Sequence, residues 1–588
     1  MTKFILSFII VFSFLGHVNA QSSDEWKTYF EKSNFLETPT YEETMSYCSK
    51  LANSSEFAKM ISIGKSPQGR DINCLIISKS KQFAPVNLED RDRPLMLIIN
   101  GIHSGEINGK DASLLFLREI LVTKEKANLI DNVDLLVIPI FSVDDHERRS
   151  EFNRINQIGP KETGWRVTAQ NLNLNRDFLK ADAPEMKALL KLFSTWLPDF
   201  FIDVHSTDGS DFQYQTTFAI EKHENTTPVI SNWVKKTFNP TLVNKVNEKG
   251  FSISPFVGFL KGDPRNGIYD WAPTPRFSNG YSTLQNRPGL LIESHVLKTY
   301  KERVYSTKAV LESSIEILDS NHEKILDMSK ESDEYVIDQF IDERKPYPLT
   351  FERTERYMPF NYKGVEYDLV KSEISGSEVR KFTNKTFEQE VKYFNNVVGK
   401  IKVNLPEAYI VPQEWVEIID RLKLHGVKIE QLEENKKFIV ERFKFSDVEF
   451  PKTPYEGRFV PSYKYRLFRD TVLVRNGDYI VNTNQRSLGI IAHALEPDGP
   501  DSFIKWGFFN IIFERKEYYE AYALEPIAQK MLEENESVRT EFKAKLRADN
   551  DFTNDPRKRY DFFYERTPYY DVNFNIYPVL RVIEELDD

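Results

Sequence analysis

The chain alternates short, densely apolar runs with longer segments whose apolar residues recur at helical spacing. Residues 71–78, 95–100, 134–141, 200–204 and 289–293 are runs of strand length, as in Leu95-Met96-Leu97-Ile98-Ile99. Runs this short and this uniformly apolar suit strands buried on both faces. Between them, residues 110–123 and 184–197 repeat apolar side chains every three or four positions, as a helix with one buried side does. A third helical stretch, 305–330, is long and charged. Such alternation predicts an α/β fold, a mixed, mostly parallel sheet with helices on both faces.

Beyond about residue 331 the pattern changes. Residues 340–403 read as short strands separated by polar turns and are rich in Tyr, Phe and charge. Residues 404–588 return to α/β character, with a strand at 408–411, a helix at 415–424 and a further helix at 519–544. Residues 472–481 read as a hairpin around Asn476-Gly477. The first 20 residues combine a basic start, an apolar stretch over 4–15 and the small-residue pattern Val18-Asn19-Ala20. That is the form of a cleaved export signal, and it predicts a secreted or periplasmic protein. No later stretch approaches the roughly 18 apolar residues of a membrane span. The expected division is therefore a signal at 1–20, a catalytic domain at 21–330 and a C-terminal α+β extension at 331–588. A chain of 588 residues is too long for one ordinary core, which agrees with that division.

Three of the apolar runs end on side chains that bind metals or move protons. The run from residue 95 leads into His103, with Glu106 three positions later; 200–204 leads into His205, and 289–292 into Glu293. Two imidazoles and two carboxylates can supply the three ligands of a mononuclear catalytic zinc and a general base beside it. Strand ends are also where open α/β sheets build their sites. His-x-x-Glu alone is a weak signal, since a single His after an apolar run is more often structural. The order in which Arg154 and Asn175-Arg176 fall between the two His gives it weight.

The segments Asn100-Gly101-Ile102-His103-Ser104-Gly105-Glu106, Asn173-Leu174-Asn175-Arg176-Asp177, Asp203-Val204-His205-Ser206 and Leu291-Ile292-Glu293 together resemble the zinc carboxypeptidases of the funnelin type. Gly64-Lys65-Ser66-Pro67-Gln68-Gly69-Arg70 looks like a turn near the start of that domain, and the resemblance spans roughly residues 25–325. The second half resembles the C-terminal extension of some secreted bacterial members.

The resemblance implies one Zn2+ per chain on His103, Glu106 and His205. It implies that Glu293 deprotonates a zinc-bound water, and that Asn175 and Arg176 grip the free C-terminal carboxylate of a peptide substrate. Arg154 is the best match for an oxyanion-stabilising arginine, with Arg148, Arg149 and Arg166 as alternatives. Gly267-Ile268-Tyr269-Asp270-Trp271 resembles part of the specificity pocket and would put Tyr269 on its wall, favouring an uncharged side chain. The tyrosine that usually closes over the substrate has no clean match; Tyr269 and Tyr281 are the nearest.

A net charge of −11 argues against nucleic acid as a partner. Cys48 and Cys74 leave a disulfide or two buried thiols equally open. His425 and His493 read as structural. No Gly-x-Ser-x-Gly, His-Glu-x-x-His or phosphate-loop motif is present. The competing functions are a zinc amidase or deacylase of the same fold, which shares the metal residues but needs no grip on a carboxylate, and a non-catalytic peptide- or glycan-binding relative, which would typically lose a ligand or the base.

Overall fold

A computed structural model describes residues 24–586, so the expected export signal lies outside the described residues. Eight strands form the central sheet: β1 (Ala58–Lys65), β2 (Asp71–Ile77), β3 (Leu95–Asn100), β4 (Asp134–Ile138), β5 (Phe200–Thr207), β6 (Thr216–Ile220), β7 (Ile253–Pro255) and β8 (Gly289–His295). Their order across the sheet is β1-β2-β4-β3-β5-β8-β6-β7. The inner strands β4, β3, β5 and β8 run parallel, β6 lies antiparallel to β8, and β1 and β2 close the other edge antiparallel. This is the mixed, mostly parallel sheet that the apolar runs predict.

Successive side chains of a strand point to opposite faces, and each face here has its own cover. Met96, Ile98, Phe200, Ile202, Leu290 and Ile292 pack with helices α1 (Asn108–Leu121) and α3 (Tyr300–Ser320). Leu97, Ile99, Leu136 and Phe201 pack with α2 (Pro184–Trp196) on the other face. The charged stretch at 305–330 is broken at Asn321 into α3 and a second helix, His322–Ile337. The expected domain boundary at 330/331 therefore falls inside a helix. Both cysteines are buried and unbonded.

The extension continues the core of the first half. Tyr409, Val411, Ile418, Ile419, Leu422, Phe443 and Phe503 belong to the same apolar cluster as Leu97, Phe201 and α2. Residues 347–403 are strands, among them the long hairpin Met358–Lys371 and Glu378–Phe394, which pairs with the short strand Ile268–Tyr269 of the first half. A six-stranded sheet and helices follow.

Two expectations in this half are corrected. Asn476-Gly477 does make a turn, with Gly477 at φ +95°, but the flanking strands Ser462–Val474 and Tyr479–Asn482 pair with other partners. Asp478 accepts from the backbone N–H of Arg475 and of Gln413, so the turn is anchored to a neighbouring segment and carries the chain across the sheet. The helix at 519–544 is two helices, Ala521–Glu534 and Glu536–Ala548, separated at Asn535, whose side chain caps the second. His425 is structural: its ring joins the Tyr281 hydroxyl to the carbonyl of Leu179.

Because the α2 face of the sheet is completed by the extension, a chain ending at residue 330 would expose a contiguous apolar surface. Residues 24–330 alone should be recovered insoluble, or soluble but strongly binding an apolar dye. A soluble fragment with a single cooperative unfolding transition would show that this face needs no cover.

Candidate metal and substrate site

The site lies where β3, β5 and β8 end side by side. After Asn100 the chain turns sharply through Gly101, at φ +67°, where a Cβ would also lie 2.9 Å from Ile107 Cδ1. This turn brings His103 and Glu106 back over the sheet, both only 3% exposed. His205 lies within β5, directly opposite Glu293 of β8 in parallel register. Glu106 and His205, 99 residues apart, and His205 and Glu293, from separate strands, thus collapse onto one strand edge.

His103, Glu106 and His205 have ligand atoms within 4.8 Å of one another. His103 Nδ1 is 3.2 Å from Glu106 Oε1, and His205 Nδ1 is 3.0 Å from Glu106 Oε2. The opposite ring nitrogens are already engaged: Nε2 of His103 with Asn173 Oδ1 at 3.0 Å, and Nε2 of His205 with Asp203 Oδ2 at 2.8 Å. Each partner thereby orients its ring with Nδ1 facing inward, as outer-shell partners of metal ligands do. His103 Nδ1 is buried and makes no hydrogen bond of its own. A buried, unpartnered imidazole nitrogen beside a carboxylate and a second imidazole fits a zinc ion.

The charges reflect this crowding. Burial works against the Glu106 carboxylate, but His103 and His205 outweigh it and hold its pKa well below the ordinary range. Burial likewise opposes the His205 cation, and Asp203 with Glu106 overrides it, so its pKa stands well above the usual value. For Glu293 the compensation is only partial. Enclosure, helped by the nearby charges of Glu106 and Asp203 and opposed by His205 and Arg154, pushes it up to about 8.

Among the four arginines considered from sequence, two reach the site. Arg154 Nη2 lies 3.0 Å and Arg166 Nη1 3.2 Å from Glu106 Oε1. Arg148 stacks on Trp165 and Arg149 bonds the carbonyls of Thr38 and Pro39, so both are turned away. Gly105 makes room for Arg154, since a Cβ there would come within 2.6 Å of Arg154 Cδ.

Asn175 and Arg176 sit on a single helical turn, Leu174–Arg176, and line the same cavity as the metal triad. Asn173 Oδ1 accepts from both the Asn175 backbone N–H and the His103 ring, tying this turn to the metal site. The Arg176 guanidinium lies 4.5 Å over the Phe277 ring. Asp501, fully buried in the extension, accepts from the backbone N–H of Arg276 at 2.8 Å and from its Nε at 2.6 Å. Glu456, also of the extension, accepts from the backbone N–H of Asn173. The extension therefore braces the floor under Arg176.

The aromatic expectations are corrected. Tyr269 does not line the cavity; its place in the strand paired with the long hairpin turns it toward Trp271 and under the Arg353 guanidinium. Tyr281 is fully buried and bonded to His425, so it is no lid. Phe256, Trp271 and Phe277 line the cavity instead, with Asp270, Glu221 and Asn279. Reading the sequence alone missed Asn173 and Glu221; Asp203 was legible as the i−2 neighbour of His205 on the same strand face.

Residues 44–273 match the zinc carboxypeptidase family. Carboxypeptidase 2 of Trichophyton rubrum is 23% identical over 501 residues, covering 80% of this chain and 85% of its own. Probable carboxypeptidase 2 of Arthroderma benhamiae is 22% identical over 482 residues, covering 78% and 84%. Among solved structures, carboxypeptidase A from Helicoverpa armigera aligns with a TM-score of 0.37 at 17% identity, over 49% of this chain and 75% of that one.

A carboxyl raised from an ordinary 4.5 to about 8 keeps its proton in the folded state across a window where the unfolded state has lost it. Stability from that group is therefore full at low pH and falls as pH rises through the window, by at most about 1.4 kcal/mol per unit. In the presence of a chelator, Glu293→Gln should gain melting temperature over the unaltered protein between pH 5 and 8, roughly the bounds of that shift. A constant difference across pH would place the strained carboxyl elsewhere.

Proposed function

The chain carries a zinc carboxypeptidase domain, and on that premise we propose that it hydrolyses the C-terminal peptide bond of peptides at the His103–Glu106–His205 site. The observation that carries this reading is the shared cavity. The metal triad, Glu293, Asn175, Arg176, Arg154 and Arg166 all line one pocket of about 280 Å³. Zinc bound by His103 Nδ1, Glu106 and His205 Nδ1 would supply the Lewis-acid charge that activates water and polarises a carbonyl.

The chain's own residues do the rest. Glu293, across from His205 on the neighbouring strand, takes a proton from the attacking water and passes it to the departing amine nitrogen. Arg176 presents a planar guanidinium to the substrate's terminal carboxylate, and the Asn175 side chain adds a second donor beside it. Asn175 Oδ1 is buried without a partner, so at least the acceptor of this side chain is unspent. Arg154 and Arg166 flank the position where negative charge builds on the carbonyl oxygen. Arg166, half-exposed, has the freer reach, while Arg154 is nearly enclosed against Glu106. Export belongs to the same reading, supported by the N-terminal pattern of residues 1–20.

Glu293→Gln should retain zinc and peptide binding while turnover falls about 10²–10⁴-fold, the usual worth of a general base. His205→Ala should lose zinc together with activity. Zinc analysis beside steady-state rates separates the two, and a Glu293→Gln protein with unchanged turnover would remove Glu293 from the reaction.

Amidating the substrate's C-terminus and replacing Arg176 by Ala should each impair turnover, and together no more than either alone. Asp501→Ala should raise KM for the free-acid peptide and leave the amidated one unaffected. Equal cleavage of both peptides by the unaltered enzyme would favour an amidase.

A further inference from the structure

The cavity has a second acidic feature that the reaction itself does not use. Glu221 directly follows β6, and the pleat decides where it points. Phe218 and Ile220 pack into the apolar cluster on one face of the sheet. Thr217 and Ala219 lie opposite Glu293 and Leu291, which line the cavity. Glu221 continues the alternation of Thr217 and Ala219, so its carboxylate joins the cavity wall while its own exposure is only 4%. It lies four positions beyond Thr217, the residue opposite Glu293, about 13 Å along the chain direction. An extended lysine or arginine side chain from a terminal residue at Glu293 covers roughly half of that distance, and the Glu221 side chain reaches into the cavity from the other end.

The partners of Glu221 leave its charge unmatched. Its two oxygens accept from neutral amides, Asn279 Nδ2 at 3.1 Å and Asn225 Nδ2 at 2.7 Å. The neighbouring Lys222 ammonium is spent on Asp270, 2.7 Å away. Asp270 is further engaged by His223 and by the Tyr393 hydroxyl, so it has little left for a ligand. Asn239, which also lines the cavity, has a buried Oδ1 with no partner. Burial pushes Glu221 up to about 8, with Asn225 and Lys222 only partly offsetting it. A buried carboxyl held only by neutral donors keeps its proton until a cation arrives to pair with it.

We infer that Glu221 selects substrates whose C-terminal residue carries a cationic side chain, lysine or arginine. The inference rests on the carboxypeptidase reading above. It replaces the preference for an uncharged residue that Tyr269 would have implied.

The test uses the full-length zinc enzyme and peptides identical except for the last residue: arginine against citrulline, and lysine against norleucine. The unaltered enzyme should prefer the charged member of each pair by about 30-fold or more in kcat/KM. Glu221→Gln should bring each ratio near unity by losing the basic substrates and leaving the neutral ones within a few-fold. Glu221→Ala should show the same loss, and zinc content reports whether either variant has kept its site. Equal rates for charged and neutral termini in the unaltered enzyme, or a basic preference that survives both substitutions, would overturn the assignment. Release of neutral but not basic residues would also overturn it while leaving the carboxypeptidase reading intact. No free amino acid from any of the peptides would bring down that reading and this one with it.

Discussion

The Glu106 carboxylate is almost shut away from solvent, held between the inward nitrogens of His103 and His205, with the guanidinium groups of Arg154 and Arg166 on one oxygen and the Ser206 backbone N–H on the other. Removing a carboxylate from water costs several kcal/mol unless partners replace the hydration. His103 lies three residues away on the same turn after β3, but the other partners come from β5 and from the loop following β4, too far in sequence to form locally. The site can therefore be charged only when the sheet is assembled in the right register, which makes the fold a precondition of the chemistry and not merely its support.

The second constraint is the way the two halves of the chain share structure. Helix α2 and the extension cover one face of the catalytic sheet together, and the extension holds the segments beside the cavity through Asp501 at Arg276 and Glu456 at Asn173. Arg176 is a long, flexible side chain whose ordering is costly. Stacking on Phe277, with the preceding Arg276 clamped by Asp501 and lying 4.9 Å over the Trp506 ring, removes much of that freedom. The extension thus contributes to the site without contributing a reacting group.

Charge is unevenly distributed around the cavity. Guanidinium groups gather at the metal triad, while a carboxylate with neutral partners lies several residues along β6. A substrate meeting both would be held by its terminal carboxylate and by its side chain, so orientation would come from two opposite charges and not from shape alone.

The strands, the helices against them and the four candidate site residues His103, Glu106, His205 and Glu293 were legible in the sequence, because a two-sided buried strand needs an uninterrupted apolar run and these residues stand at or just beyond where those runs end. The grouping of Asn175 and Arg176 with them came from the ordered resemblance. Tertiary structure alone decided the rest. Local pattern cannot say that Asn476-Gly477 turns toward a distant strand, that Tyr269 rotates away once its strand pairs with a hairpin more than a hundred residues later, or that Arg166 reaches Glu106 while Arg148 stacks on Trp165. Nor does it show that Glu221 faces the cavity, since a single glutamate after a strand reads as solvated surface. Each of these depends on which segments are neighbours in space, and that is set by long-range packing energies that leave no mark on the few residues around each position.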